Sequence, residues 1–296
     1  MEKHTHSDQK IFSLAHLAVI SVSGTDSAKF LQGQLTCDIY QLNANSASLA
    51  AFCNAKGRVI TTLLVVATPT AFLLILPKNL LDKVINKLQM YVLRSAVKIS
   101  ANHENLHLLG LNFPFPAPDD PFRQQMGDTA IFIKHPATAL RSWCLVDRQA
   151  DISELTENTL SDSVVWAGLD ISVGMPWFDI SQSELYTPQM LNIDGLGGIS
   201  FSKGCYTGQE IVARTHYLGK PKRSLFIAES PFNDTAAAGM TVVEAATRQA
   251  VGNVLSVGTS AGLSRLLLVL QKDGTHSDQL LLDDSQNTAI TIVSPA

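Results

Sequence analysis

The sequence predicts a mixed α+β body followed by a small all-β barrel, and three observations carry that reading. Strand-like segments alternate with amphipathic helical stretches through residues 1–220. After Lys220-Pro221-Lys222-Arg223 the pattern changes to short alternating strands parted by Gly, Asn, Asp and Ser. Apolar residues make up 46% of the 296 and charged ones only 16%, so the chain can bury a large core and is not disordered.

In chain order, Leu17 to Val22 reads as a strand, and Ser23-Gly24-Thr25-Asp26 offers turn and N-cap chemistry for a helix from Ser27 to Leu35. Strands follow at Ser48–Phe52 and Val59–Val66, joined by an Asn54-Ala55-Lys56-Gly57 turn, with another at Phe72–Leu76. Pro77 opens a helix in which Leu80, Leu81, Val84, Ile85, Leu88 and Val92 recur at helical spacing. Its face of Lys78, Asp82, Lys83 and Lys87 reads as solvated surface. Strands are expected at Val97–Ser100, Leu106–Leu111, Thr129–Ile133 and Ala139–Val146. The proline-rich 113–121 stretch reads as a surface connection or subdomain crossing. A helical region from Ile152 to Val173 is closed by Pro176, and barrel strands are expected at Ser224–Ala228, Thr241–Ala245, Ala250–Val257, Arg265–Leu270 and Ala289–Val293. The domain division is therefore 1–220 for the body, with a crossing near 113–121, and 221–296 for the barrel.

Lys and Arg total 22 against 26 Asp and Glu, a formal charge of −4 that argues against a large basic nucleic-acid grip. The apolar run Val59 to Leu76 approaches the length of a membrane span. Thr68-Pro69-Thr70 interrupts it, and two buried strands joined at Pro69 explain it better. The polar N-terminus has no signal-peptide core, so a cytoplasmic protein without a membrane association is expected. Four cysteines (Cys37, Cys53, Cys144, Cys205) form no C-x-x-C pair, which fits neither a zinc knuckle nor a disulfide scaffold, and no metal site is expected.

Phe201 to Arg214 carries the most chemistry. It reads as a loop feeding a helix, with Cys205 just ahead of the helix N-terminus and Lys203 two residues before it. The macrodipole and a nearby cation both favour thiolate, while Glu210 opposes it if its carboxylate approaches the sulfur. The alternative is a buried packing cysteine. Lys, Tyr, Gln, Glu and Arg around one Cys and two Gly exceed what a simple turn needs. His216 is the nearest histidine in sequence, and no nucleophilic triad can be assembled from the sequence.

Lys203-Gly204-Cys205-Tyr206-Thr207-Gly208-Gln209-Glu210 resembles the K-G-C-Y-x-G-Q-E signature of the YgfZ family, folate-binding proteins linked to iron–sulfur proteins and tRNA modification. Phe30 to Asp38 (FLQGQLTCD), Asn54 to Arg58 (NAKGR), Leu196 to Phe201 (LGGISF) and Gly174-Met175-Pro176 look like further family motifs in the same order. The resemblance runs from about Leu14 through the terminal barrel. It implies a fold similar to the glycine-cleavage T-protein, an aminomethyltransferase: two ferredoxin-like α+β subdomains and a C-terminal β-barrel around a central channel that holds tetrahydrofolate or a derivative.

Residue by residue, the resemblance implies a functional thiol at Cys205, accompanied by Lys203, Tyr206, Gln209 and Glu210. It associates folate with Trp166, whose indole either stacks on a folate ring or packs in the core with Leu169 and Val173. A second folate-associated tryptophan of the family corresponds to Leu17. The acidic pair used by T-protein corresponds to Thr61 and Thr62, and a hydroxyl cannot replace a carboxylate at neutral pH, so no aminomethyltransferase activity is expected. Arg58 and Lys56 could face the glutamate tail of a folate. Arg214, Lys220, Lys222 and Arg223 form either a solvated turn or a docking patch for an acidic partner or a folate tail.

The expected function is a tetrahydrofolate-binding accessory role in iron–sulfur cluster assembly or repair, and thereby in tRNA modification. Its partners would be folate and iron–sulfur enzymes such as tRNA-thiolating enzymes, without direct nucleic-acid binding. The alternatives are a folate-dependent one-carbon transferase and a folate-independent thiol or persulfide carrier.

Overall fold

The structure is a computed structural model and describes residues 10–101, 105–113, 120–127, 129–137, 141–150, 160–161, 163–272 and 279–296. Among them the chain first forms β1 (Ile11–Ser13), β2 (Leu17–Ser23), α1 (Ser27–Gln32), β3 (Ala47–Cys53), β4 (Val59–Ala67) and β5 (Ala71–Pro77). There follow α2 (Leu81–Val92), β6 (Lys98–Ala101), β7 (Leu106–Leu111), β8 (Gln124–Met126), β9 (Ala130–Lys134), β10 (Ser142–Asp147) and β11 (Leu160–Ser161). Helices α3 (Ser163–Ile171) and α4 (Gln209–Leu218) lead to β12 (Arg223–Pro231), β13 (Thr241–Glu244), β14 (Ala250–Ser260), β15 (Leu263–Gln271), β16 (Leu280–Leu282) and β17 (Ala289–Pro295).

The strands sort into a five-stranded sheet, a six-stranded sheet and a closed barrel. The first has the order β3-β4-β5-β2-β6 and is antiparallel throughout. Its β4 is buried at all nine positions, so the residues alternate in direction but not in polarity. This is the physical reason the Val59–Leu76 run looks span-like. The chain turns between Ala67 and Ala71, where the Thr68 amide donates to the Ala71 carbonyl at 2.9 Å, and β5 returns beside β4. Among the described residues no helix is long and apolar enough to cross a membrane.

The six-stranded sheet has the order β11-β1-β7-β10-β9-β8, with β11 parallel to β1. Strands on both sides of 113–121 therefore lie in one sheet. That corrects the expected subdomain crossing: the chain changes sheet earlier, between β6 and β7. Strands β1, β8, β11 and β16 were not expected, being too short for any alternation to register. The helical region expected from Ile152 begins, among the described residues, only at Ser163, and residues 151–159 lie outside them. Helix α1 ends at Gln32, short of the expected Leu35.

The barrel closes in the order β12-β15-β14-β13-β16-β17, with β12 pairing β17 and leaving no open edge. Val254, Leu266, Leu268, Leu270 and Leu282 fill its interior. Helix α3 lies against β14 at glycine–glycine contact, because a Cβ on Gly258 would stand 2.2 Å from the Gly168 amide nitrogen. That close approach joins barrel and body.

Candidate functional site

Two sequence-distant segments, Gly33–Cys37 and Asn54–Gly57, meet the 196–210 stretch that carries Cys205. The Thr36 hydroxyl donates to the Gly198 carbonyl at 2.6 Å and accepts from the Ala51 amide, while the Ser200 amide donates to the Thr36 carbonyl. Further along, the Thr207 amide donates to the Gly33 carbonyl at 3.1 Å. Gly208, at φ +83°, seats against the β3–β4 turn, where Gly57 has φ +67°. L side chains rarely adopt these angles. The Asn54 side-chain oxygen closes that turn by accepting from the Lys56 and Arg58 amides. Cys205 sits three residues ahead of the α4 N-cap, Gly208, and is exposed, whereas Cys37, Cys53 and Cys144 are buried.

Lys203 turns away from solvent. Its ammonium donates to the carbonyls of Leu35 and Cys37 at 2.8 and 2.6 Å and lies 5.1 Å from the Tyr206 ring centroid. Burial lowers its pKa to about 8, opposed by the neighbouring Cys37 and Asp38. Tyr206 is buried, and burial raises its phenol pKa. Gln209 and Glu210 open α4, the former half-buried and the latter exposed. His216 is stacked on Phe201, with ring centroids 3.7 Å apart.

A separate cavity of about 410 Å³ lies between the start of β2, helix α3, the segment after it and the barrel. Leu17, Met175, Trp177 and Phe178 supply apolar wall, while His16 and Asp170 supply polar wall. Asp170 is buried and bridges two donors: His135 Nε2 at 2.8 Å and the Trp177 indole N–H at 3.0 Å. His135 Nδ1 accepts from the Ala137 amide, so Nε2 holds the proton and the ring is neutral. Burial lowers the His135 pKa, with Asp170 pulling the other way. His16 is half-buried, its pKa is lowered by burial, and its Nδ1 has no partner among the described residues.

These two sites belong to a chain with close relatives in sequence. It is 32% identical to the tRNA-modifying protein YgfZ of Pectobacterium carotovorum over 299 aligned positions, covering 95% of this chain and 90% of the relative. The protein of the same name from Yersinia enterocolitica matches at 32% over 304 positions with the same coverage. The chain belongs to the YgfZ family. No protein-family model matches it. Among solved structures, the glycine cleavage system aminomethyltransferase T of Bartonella henselae superposes with a TM-score of 0.72 over 97% of this chain and 85% of that one. At 13% identity, that likeness shows a shared T-protein-like fold.

Within this YgfZ-family fold the expected site residues divide. Cys205, Lys203, Tyr206, Gln209 and Glu210 share one loop and helix start, and Lys203 turns inward from it. Two inward carbonyls take its ammonium, because a buried charge needs partners. Trp166 is fully buried and does not line the cavity. Its ring lies 5.3 Å from Phe12 and 5.6 Å from His135, pressed on Gly110, which is the packing alternative of the two readings. Leu17 does line the cavity. Arg58 donates to the Leu185 carbonyl at 2.7 Å and is not among the cavity-lining residues. Lys83, expected on a solvated face, pairs with Glu184 at 2.9 Å and donates to the Ser183 hydroxyl.

Thr61 and Thr62 are buried in β4 and donate to the carbonyls of Thr62 and Pro176, so these hydroxyls serve the scaffold. Sequence reasoning missed His16, His135, Asp170 and Trp177. The available signal was Asp170 itself, an acid between Leu169 and Ile171 on an otherwise apolar helix, followed by Trp177 directly after Gly174-Met175-Pro176. Among the described residues no group of three or more His, Cys, Asp or Glu could hold a metal ion.

Proposed function

We propose that the protein is a tetrahydrofolate-binding accessory factor that supports iron–sulfur cluster assembly or repair, and through it tRNA modification, with Cys205 as its working thiol. The observation that carries this is the presentation of Cys205: the exposed thiol among four, on a loop held by contacts from two distant segments, Gly33–Cys37 and Asn54–Gly57. A reactive cysteine must be accessible and must be positioned by a rigid support. The relatives named tRNA-modifying proteins supply the client process.

The cavity fits a folate ring in size and chemistry. Its volume lies within the roughly 300–1,000 Å³ range of small-molecule pockets. Apolar walls from Leu17 and Trp177 suit an aromatic heterocycle, and the buried Asp170 with the unpartnered His16 Nδ1 suits a polar ring edge. Bound there, the folate would supply one-carbon chemistry or a regulatory signal. The residues of this chain would bind and orient it. Thr61 and Thr62 speak against aminomethyl transfer. The net charge of −4 favours protein clients over direct RNA contact.

Cys205→Ala, expressed in a deletion strain, should fold normally and fail to restore tRNA thiomodification. Full restoration by that variant would overturn the role. A second reading, a thiol or persulfide carrier that needs no folate, is favoured by the fact that Cys205 is not among the cavity-lining residues. Calorimetry with tetrahydrofolate separates the two, since the carrier reading expects no heat of binding.

A further inference from the structure

Asp170 is a buried carboxylate that Arg141 faces electrostatically without forming an ion pair with it. Its two hydrogen-bond donors, the His135 imidazole and the Trp177 indole, are both uncharged. Among the described residues no lysine or arginine forms an ion pair with it. A carboxylate offers about four acceptor positions, and these donors occupy two. The remaining capacity lies on a residue that lines the cavity, and an under-satisfied buried charge is costly. An occupant bringing N–H donors to that wall offsets the cost, while one bringing an acceptor or a methyl group does not.

We propose that Asp170 is the specificity-determining residue of the cavity and reads a heterocycle edge rich in N–H donors, of the cyclic amidine or 2-amino-4-oxopyrimidine kind. The arrangement is pre-set. The Ala137 amide fixes the His135 tautomer, His135 and Trp177 fix the carboxylate, and Leu17, Met175 and Phe178 supply apolar wall in the same cavity. His16, with a free ring nitrogen on the same wall, is the neighbouring group that could contact the rest of the polar edge. This inference rests on the folate reading and deepens it by naming the edge that is recognised.

The test is calorimetric, on the full chain, with 5-formyltetrahydrofolate and its 2-desamino-2-methyl analogue. Loss of a hydrogen bond to a charged group should weaken the analogue about 10- to 100-fold. Asp170→Asn should shrink that preference to less than about 3-fold, since the amide presents donors of its own. Trp177→Phe, which releases one acceptor position and keeps the carboxylate, should retain the preference even if both ligands bind more weakly. It serves as the second variant if Asp170→Asn does not fold. Equal binding of both ligands to the unaltered protein would overturn the assignment of Asp170 and leave the folate reading standing. So would an undiminished preference in folded Asp170→Asn, or a lost one in folded Trp177→Phe. Binding of neither ligand would overturn both readings.

Discussion

Gly208 rests directly on Gly57: a Cβ at Gly208 would stand 3.0 Å from the Gly57 Cα and 2.5 Å from the Asn54 carbonyl oxygen. Both glycines have positive φ, and the contact locks the Cys205 loop to the β3–β4 turn. A side chain at Gly208 meets backbone, which cannot move aside as a flexible side chain would, and one at Gly57 meets the Ile211 side chain first, at 2.8 Å.

Gly208→Ala should therefore lower the unfolding free energy by about 1–3 kcal/mol, from left-handed strain and the displaced turn together. Gly204→Ala is the control, because nothing lies within 4 Å of a Cβ built there, and it should change stability by less than about 0.5 kcal/mol. Urea titration of the two variants measures the difference, and equal losses would remove the contact from the account.

Thiol labelling should single out one cysteine. Burial pushes the pKa of Cys37, Cys53 and Cys144 up to about 12, so at pH 8 their thiolate fractions are negligible and reagents cannot reach them. Native protein treated with iodoacetamide should gain one label, mapped by peptide mass to Cys205, and denatured protein should gain four. A second rapidly labelled cysteine in the native state would contradict the burial pattern.

Acid should destabilise the fold through His135. Its folded pKa lies below the unfolded value near 6.5, so below that pH the unfolded chain binds a proton the folded chain refuses. Stability is thus fully present above pH 6.5 and is lost as pH falls, by at most about 1.4 kcal/mol per pH unit from this group. His135→Gln, which can still donate to Asp170, should flatten the pH dependence of the unfolding free energy between pH 6.5 and 5. An unchanged slope would mean that other groups govern it.

The two tryptophans should separate stability from binding. Trp166→Ala should cost about 3–5 kcal/mol, as expected for a fully buried indole. The milder Trp166→Phe should leave affinity for 5-formyltetrahydrofolate within about 2-fold. Trp177→Leu should weaken that affinity roughly 2- to 10-fold, since it removes an aromatic face from the cavity wall. Reversed effects on binding would return Trp166 to the ligand.

Much of the local structure was legible because period and punctuation act over a few residues. Pro69 divided β4 from β5, Asn54 to Gly57 marked their neighbouring hairpin, and Leu81, Val84 and Leu88 marked the buried face of α2. The Cys205 loop was visible as an uneconomical cluster of functional groups. The direction of Lys203 was not legible because closeness in sequence does not set it: its four-carbon stem reaches inward to Leu35 and Cys37, more than 160 positions away. The two readings of Trp166 stayed open in the sequence because a helix has a covered side, and only the neighbouring sheet shows which side that is.

The sequence by itself determined most of the elements, the all-β tail and the family, since these rest on local periodicity and contiguous motifs. Tertiary structure alone decided that Cys205 is exposed while three other thiols are not, that Trp177 rather than Trp166 walls the cavity, and that Asp170 stands buried between two neutral donors. Burial and hydrogen-bond partnership are properties of what a distant segment brings alongside. No window of neighbouring residues contains them.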